Sequence, residues 1–401
     1  MKITAVTPHL LTTPWTDDPW FPQALHSTAL VRIETDSKLD GLGEITLGYF
    51  AGESVPPLVE FLKPALLGRD PMDTLGLANE MLAQCIWWGR AGMARSVLSG
   101  IELALWDLKG KALGVPVYQL LGGKTRDKIP VYASGGPALW PTDKNLRKVA
   151  DYSKWGYRAT KLSPDFFEMK RGSGKKGQGR LQWITFPHSK KIKELTRSFD
   201  KIRHEFPDFD LLIDGHQGAE PNPIAVTEAI EIAEALTPYR IRFYEEPLAF
   251  TNLEGYRDLT RRSRIPIAVG ESFSGLDQFH AFITNQALHV VQPDIGFVGG
   301  IHETLRIIHH AEAHNVTTAI HTGASMGPSL AASWHVAAAC RSVEWLEQVP
   351  AARSIQNDLL LDRFEVKDGF VGMPAGPGLG VRLTTKHLAK YKFVPNSGER
   401  T

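Results

Sequence analysis

At 401 residues the chain is long enough for two or three domains and a large core without disulfide or metal staples. Apolar residues make up 43% and charged residues 22%, which excludes a disordered or collagen-like chain. Lys plus Arg number 45 against 44 Asp plus Glu, and a net charge of +1 argues against nucleic acid or an anionic membrane as partner.

The first fifty residues read as β. Ile3 to Leu11 and Ala29 to Glu34 are strand-like, and Gly41-Leu-Gly43 reads as a turn into Glu44-Ile-Thr. Between the first two, Thr13 to Gln23 carries two Pro and two Trp among acidic residues and reads as an ordered loop. Val97, Ile101, Leu105, Leu108 and Ala112 recur at helical spacing, and Gly114 and Pro116 end that helix. From Lys128 the rhythm changes to short apolar strands alternating with amphipathic segments: IPVYAS, RATKL, LLID, RFYEE, PIAVGE, VVQPD, TTAIH and VEWLE. Eight such strands with helical crossovers fit a (β/α) barrel better than an open sheet. Lys161 to Asp214 spans 53 residues, too many for one unit, and the surplus, Asp165 to Thr185, reads as a flexible basic insertion. Phe370 to Leu383 is rich in Gly and Pro, and its Gly376-Pro-Gly378-Leu-Gly380 lacks the βαβ context of a phosphate loop. The start MKITAVTPHLL has no secretory pattern, and no run of 18 apolar residues occurs. Cys85 and Cys340 lie 255 residues apart and form no metal or disulfide framework. A cytoplasmic enzyme is the simplest expectation.

In such barrels the working groups stand at the C-terminal strand ends. Here those ends carry Asp214, Glu245-Glu246, Glu271, Asp294 and His321, at gaps of 31, 26, 23 and 27 residues, one unit each. Three carboxylates converging from successive strands would repel one another without a cation between them. Oxygen-only ligation with open positions suits Mg2+, or Mn2+, rather than zinc. His321 is the candidate base, with Asp294 one strand away to hold its other ring nitrogen.

The motifs LLIDGHQG, FYEEPL, VGES, QPDIGFVGG and AIHTG, with ALWDLKGKALGVPVYQLLGG ahead of them, resemble the enolase superfamily, in its mandelate racemase branch and close to the sugar-acid dehydratases. The resemblance runs from about residue 1 to 385. It implies an α/β chain: a modified (β/α)7β TIM-like barrel under an α+β capping domain built from both termini. The boundaries it suggests are capping domain 1–127, catalytic barrel 128–353 and a C-terminal segment 354–401 returning to the cap. It further implies Mg2+ held by Asp214, Glu245 (the first Glu of its pair) and Glu271, and a homo-oligomer. Lys161 matches the first lysine of the branch's Lys-x-Lys, which contacts the substrate carboxylate. Ser163 stands where racemases carry the second lysine, so one of the two bases of racemisation is absent.

Asp214-Gly-His216 resembles the D-x-H of galactonate and mannonate dehydratases, in which that His protonates the departing 3-hydroxyl, and strand alternation would point both side chains one way. His321-Thr-Gly-Ala-Ser-Met-Gly327-Pro328 is two residues longer than the corresponding dehydratase stretch, and Glu347 matches a hydrogen-bonding partner of the substrate carboxylate. The resemblance therefore implies a Mg2+-dependent dehydratase of an aldonic or aldaric acid, removing the C2 proton and the C3 hydroxyl to give a 2-keto-3-deoxy acid. The alternatives are an epimerase, racemase or lactone cycloisomerase acting through the same enediolate, and, more remotely, a non-catalytic sugar-acid-binding relative. Specificity is expected from Thr13 to His26, Tyr49 to Ser54 and the 165–185 insertion. Trp15, Trp20, Trp87 and Trp88 belong to the cap, either packing its core or facing a sugar.

Overall fold

A computed structural model of the chain describes residues 1–20, 24–137, 142–163, 167–171, 181–185, 187–218, 223–323 and 325–397. Three strands, β1 (Ile3–Pro14), β2 (Leu25–Thr35) and β3 (Asp40–Ile45), form an antiparallel sheet in the order 1-2-3. The helix Met93–Leu113 crosses β3 and ends at Gly114, whose φ of 70° is the left-handed closure expected of a glycine there. Gly41 and Gly43 make no turn. Both lie within β3, where a Cβ would overlap the helix carbonyls of Ala104 and Gly100, so the two glycines let sheet and helix backbones touch. The segment from Thr13 also departs from a plain loop, because Thr13 pairs with His26 and Pro14 with Leu25; residues 21–23 lie outside the described residues.

Eight parallel strands close into a barrel: β4 (Ile129–Pro137), β5 (Ala159–Ser163), β8 (Asp210–Asp214), β9 (Tyr244–Glu245), β10 (Ile267–Val269), β11 (Val290–Val291), β12 (Thr317–Ile320) and β13 (Val343–Gln348). Sheet order follows the chain, and β13 pairs back onto β4. Small and large side chains alternate inside its lower half, where Ala159, Ala268 and Ala319 make room for Tyr132 and Phe243. The 165–185 insertion contains two strands that were not anticipated, β6 (Phe167–Arg171) and β7 (Leu181–Thr185), paired antiparallel as a hairpin apart from the barrel sheet; residues 172–180 lie outside the described residues. A last short strand, β14 (Phe370–Val371), pairs antiparallel with the start of β4.

The C-terminal chain returns to β1, with Thr12 N–H donating to the Tyr391 carbonyl at 3.0 Å and Val394 N–H to Thr12 Oγ1 at 2.9 Å. On that path Gly378 seats against Gly110, where a Cβ on Gly110 would collide with it, and Leu379 N–H donates to Asp107 at 2.8 Å. The glycine-rich stretch is thus a tight docking loop.

Two buried acids lock the antiparallel layer to the barrel. Glu44 on β3 accepts the N–H groups of Met326, Gly327 and Ser329 at 2.7, 3.1 and 3.0 Å, at the start of the helix Pro328–Ala339. Glu102 on the Met93–Leu113 helix accepts those of Ile301 and His302 at 2.9 and 3.1 Å, at the start of the helix Ile301–Ala313. Each supplies acceptors to helix N–H groups that have no intrahelical partner, at the end where the macrodipole favours negative charge. Among the described residues no helix is long and apolar enough to cross a membrane.

Candidate active site

A cavity of about 660 Å³ opens at the C-terminal ends of the barrel strands, under the antiparallel layer. The sequence-predicted residues reach it as follows. Lys161 comes from β5, Asp214 from the end of β8 and Glu347 from β13, while His321 follows β12 directly and Glu271 follows β10 after one glycine. Glu245 and Asp294 stand behind this wall, both fully buried.

The Lys161 ammonium is the electrostatic hub. Both Glu245 carboxylate oxygens accept from it at 2.8 Å, Glu347 Oε1 lies at 3.0 Å and Asp214 Oδ2 at 3.3 Å. Burial opposes its charge, but Glu245 and Glu347 hold its pKa well above the ordinary lysine value. Glu245 shows the opposite balance, pushed well up by burial and by the neighbouring Asp214 charge. The group therefore carries more buried negative charge than Lys161 answers, which is the condition a metal cation relieves.

His321 Nδ1 lies 2.8 Å from Asp294 Oδ2, and Nε2 lies 3.1 Å from Glu271 Oε2 and 3.6 Å from Glu347 Oε2. Burial works against its charge, yet Glu347 and Glu271 raise its pKa well above the ordinary histidine value. Asp294 is itself fixed by the Gly296 N–H at 2.8 Å, so one buried carboxylate orients the imidazole.

His216 reaches the cavity by another route than the one expected. β8 ends at Asp214, and His216 takes a left-handed backbone, φ 48°, so strand alternation is not what aligns it. Its side chain folds back so that Nε2 lies 2.9 Å from Asp214 Oδ2, and its own N–H donates to Asp214 Oδ1 at 3.0 Å. Burial disfavours the imidazolium, but the Asp214 carboxylate outweighs it and holds the pKa up to about 10.

Among the described residues, Glu245, Glu271 and His321 form a group of three whose ligand atoms all lie within 4.8 Å of one another. Asp214 stands beside Glu245, sharing the Lys161 ammonium with it, and pairs as well with His216. Glu246 takes φ 38° and packs its carboxylate over Gly218, where burial pushes its pKa up to about 8.

Trp15, Tyr49 and Phe50, from the two N-terminal segments expected to set specificity, line the cavity, and Phe250 and Phe297 from the barrel side, which were not anticipated, complete its wall. Trp15 stacks on His26 at 4.0 Å between ring centroids, and His26 on Tyr49 at 5.3 Å. Trp87 and Trp88 stand exposed, at 93% and 48%, and are not among the lining residues. Phe250 and Phe297 follow an acidic strand end by a few residues and carry no local signal beyond that offset. Ser134 hydrogen-bonds Glu347 from β4 and was equally silent.

Comparison with known proteins agrees with this architecture. Residues 145–387 match a family model described as enolase C-terminal domain-like, and residues 22–122 match that of the mandelate racemase / muconate lactonizing enzyme N-terminal domain. A D-gluconate dehydratase of Thermoproteus tenax is 31% identical over 358 residues, covering 86% of this chain and 67% of its own length. A D-galactonate dehydratase family member from Marinomonas sp. is 27% identical, covering 91% of both chains. Among solved structures, the 3,6-anhydro-D-galactonate cycloisomerase from Zobellia galactanivorans superposes with a TM-score of 0.81 at 26% identity, over 98% of this chain and 99% of its own.

Proposed function

We propose, since this chain belongs to the enolase superfamily, an enzyme family, and to its mandelate racemase / muconate lactonizing enzyme branch, that it is a Mg2+-dependent dehydratase of a sugar acid. The carrying observation is that two differently held histidines share one cavity: His321 on Asp294, and His216 on Asp214. One base and one acid are what β-elimination of water requires. Ser163, in the position of a second basic lysine, supports the same reading.

Asp214, Glu245 and Glu271 would hold the metal, since a hard oxygen donor set with surplus negative charge fits a hard divalent cation. When bound, Mg2+ would stabilise charge on the substrate carboxylate as the α-proton leaves, by several kcal/mol. With Glu271 drawn onto a cation, His321 would lose the carboxylate that keeps Nε2 protonated and, with its Nδ1–H donating to Asp294, would take the C2 proton on Nε2. His216 gives the proton on Nε2 to the departing 3-hydroxyl, which leaves as water, and the resulting enol tautomerises to a 2-keto-3-deoxy acid. Lys161 and Glu347 flank the substrate carboxylate, one as a fixed positive charge and the other as a hydrogen-bond partner. The likeness to an anhydrosugar-acid cycloisomerase supports a second reading, ring opening or epimerisation through the same enediolate.

A panel of sugar acids assayed with Mg2+ for keto-acid formation tests the proposal. Keto acid from at least one member is expected; an epimer or isomer in its place would favour the second reading.

A further inference from the structure

Away from the barrel mouth, three histidines meet on the outer side of two crossover helices. The helix Leu276–Thr284 carries His280, and the helix Ile301–Ala313 carries His310, with His314 closing its C-terminal end. The first helix buries Phe279, Phe282 and Ile283, and the second buries Ile307, Ile308 and Ala311. Their apolar faces thus turn inward and leave His280 and His314 exposed, with His310 half-buried between the helices. None of the three is among the residues lining the barrel-mouth cavity.

His280 Nδ1 lies 3.1 Å from His310 Nε2, and the two ring centroids are 5.1 Å apart. His314 stands one helical turn beyond His310, with ring centroids 4.6 Å apart. Its Nδ1 lies 2.9 Å from the His310 carbonyl oxygen, and donating there fixes the tautomer in which Nε2 carries the lone pair. Burial, and then the nearness of His314 and His280, hold the His310 pKa below the ordinary histidine value, so that ring is neutral at pH 7. Two nitrogens 3.1 Å apart, each about 2.1 Å from one ion, subtend about 95° at it. That is close to the right angle between neighbouring ligands in tetragonal coordination and short of the tetrahedral angle of zinc sites.

We propose that His280 and His310 form a surface site for a late first-row divalent ion of tetragonal preference, Cu2+ or Ni2+, with His314 turning in as a third donor. Water fills the remaining positions. The proton held between His280 Nδ1 and His310 Nε2 passes through solvent to the far nitrogen of its own ring, so two neutral imidazoles face the ion and no net proton is released. The bound ion ties one crossover helix to the next. Its imidazole donors set it apart from the carboxylate-rich mouth, whose oxygen ligands suit a hard cation.

The test titrates the full chain, free of any polyhistidine tag and saturated with Mg2+, with Ni2+ and with Cu2+ by calorimetry. The unmodified chain is expected to bind one ion that His280→Ala and His310→Ala each weaken at least about tenfold. Affinity at this site should fall in the order Cu2+, Ni2+, Co2+, Mn2+. With one equivalent of Cu2+, the electron paramagnetic resonance spectrum should show nitrogen splitting that the double variant lacks. His321→Asn, at the barrel mouth, should keep the site, which separates it from an ion entering the mouth. Titrations that coincide for the unmodified chain and the double variant, or Cu2+ held by oxygen alone, would overturn the proposal.

Discussion

The barrel mouth and the seam between the antiparallel layer and the barrel both bury carboxylates, and they neutralise them in different ways. At the seam, Glu44 and Glu102 face backbone N–H groups fixed by the helices they terminate. At the mouth, Asp214, Glu245, Glu271 and Glu347 face side chains that can move or exchange protons: Lys161, His216 and His321. An acid held only by groups that do not titrate is structural. One that also meets a charged or titratable side chain is placed to take a metal or handle a substrate proton. Burial alone therefore does not mark a functional acid; the nature of its partner does.

The sharpest way to break this comparison is to remove charge at each place. Asp214→Asn or Glu271→Gln is expected to lower kcat/KM at least about a thousandfold, and EDTA to abolish activity until Mg2+ is restored. The melting temperature should stay within about 3 °C, because these acids repel one another when no cation is bound. Full activity in chelator would remove the metal from the account. Next in size is His321→Asn, expected to lose at least about a hundredfold in kcat while calorimetric Mg2+ affinity stays within about threefold. A large loss of affinity would instead make His321 a ligand, as its place beside Glu245 and Glu271 allows.

At the seam the expected effect is on stability. Glu44→Ala leaves three buried N–H groups without their acceptor and should cost about 3 kcal/mol in denaturant unfolding, with kcat reduced about tenfold because the tethered loop leads directly from His321. A stability change under about 0.5 kcal/mol would show that water satisfies those groups. The last effect is a pH dependence, reaching its full size only across the titration of one acid. Burial pushes the Glu102 carboxyl up to about 7 from an ordinary 4.5. The folded chain thus keeps a proton that the unfolded chain releases above about 4.5. Its contribution is fully present below that pH and is lost as pH rises through about 7, by up to about 3 kcal/mol. Glu102→Gln, which resembles the protonated acid, should flatten stability between pH 5 and 8; an unchanged slope would assign it elsewhere.

Much of this was legible in the sequence, because strands buried on both faces are continuous apolar runs and polar residues at their ends stand out. All eight barrel strands coincide with such runs. What escaped depended on tertiary context. Gly41 and Gly43 look like a turn until a helix lies across them, and the pairing of 167–171 with 181–185 is hidden by the polar stretch between. His216 meets Asp214 through a left-handed backbone, a geometry that strand periodicity does not encode. Glu44 and Glu102 are single acids in apolar surroundings, and only the helices they cap, some 200 residues or more away in sequence, explain them. Phe250 and Phe297 complete the aromatic wall from two separate strand-to-helix connections with no shared period.

Whether one base and one acid act in sequence is read by NMR in deuterated water with a sugar acid that the unmodified enzyme dehydrates. His321→Asn is expected to lose both keto-acid formation and exchange of the substrate's α-proton. His216→Asn should lose the keto acid while still exchanging that proton, because deprotonation precedes departure of the hydroxyl. Exchange persisting in His321→Asn would contradict the account and move the base to another residue.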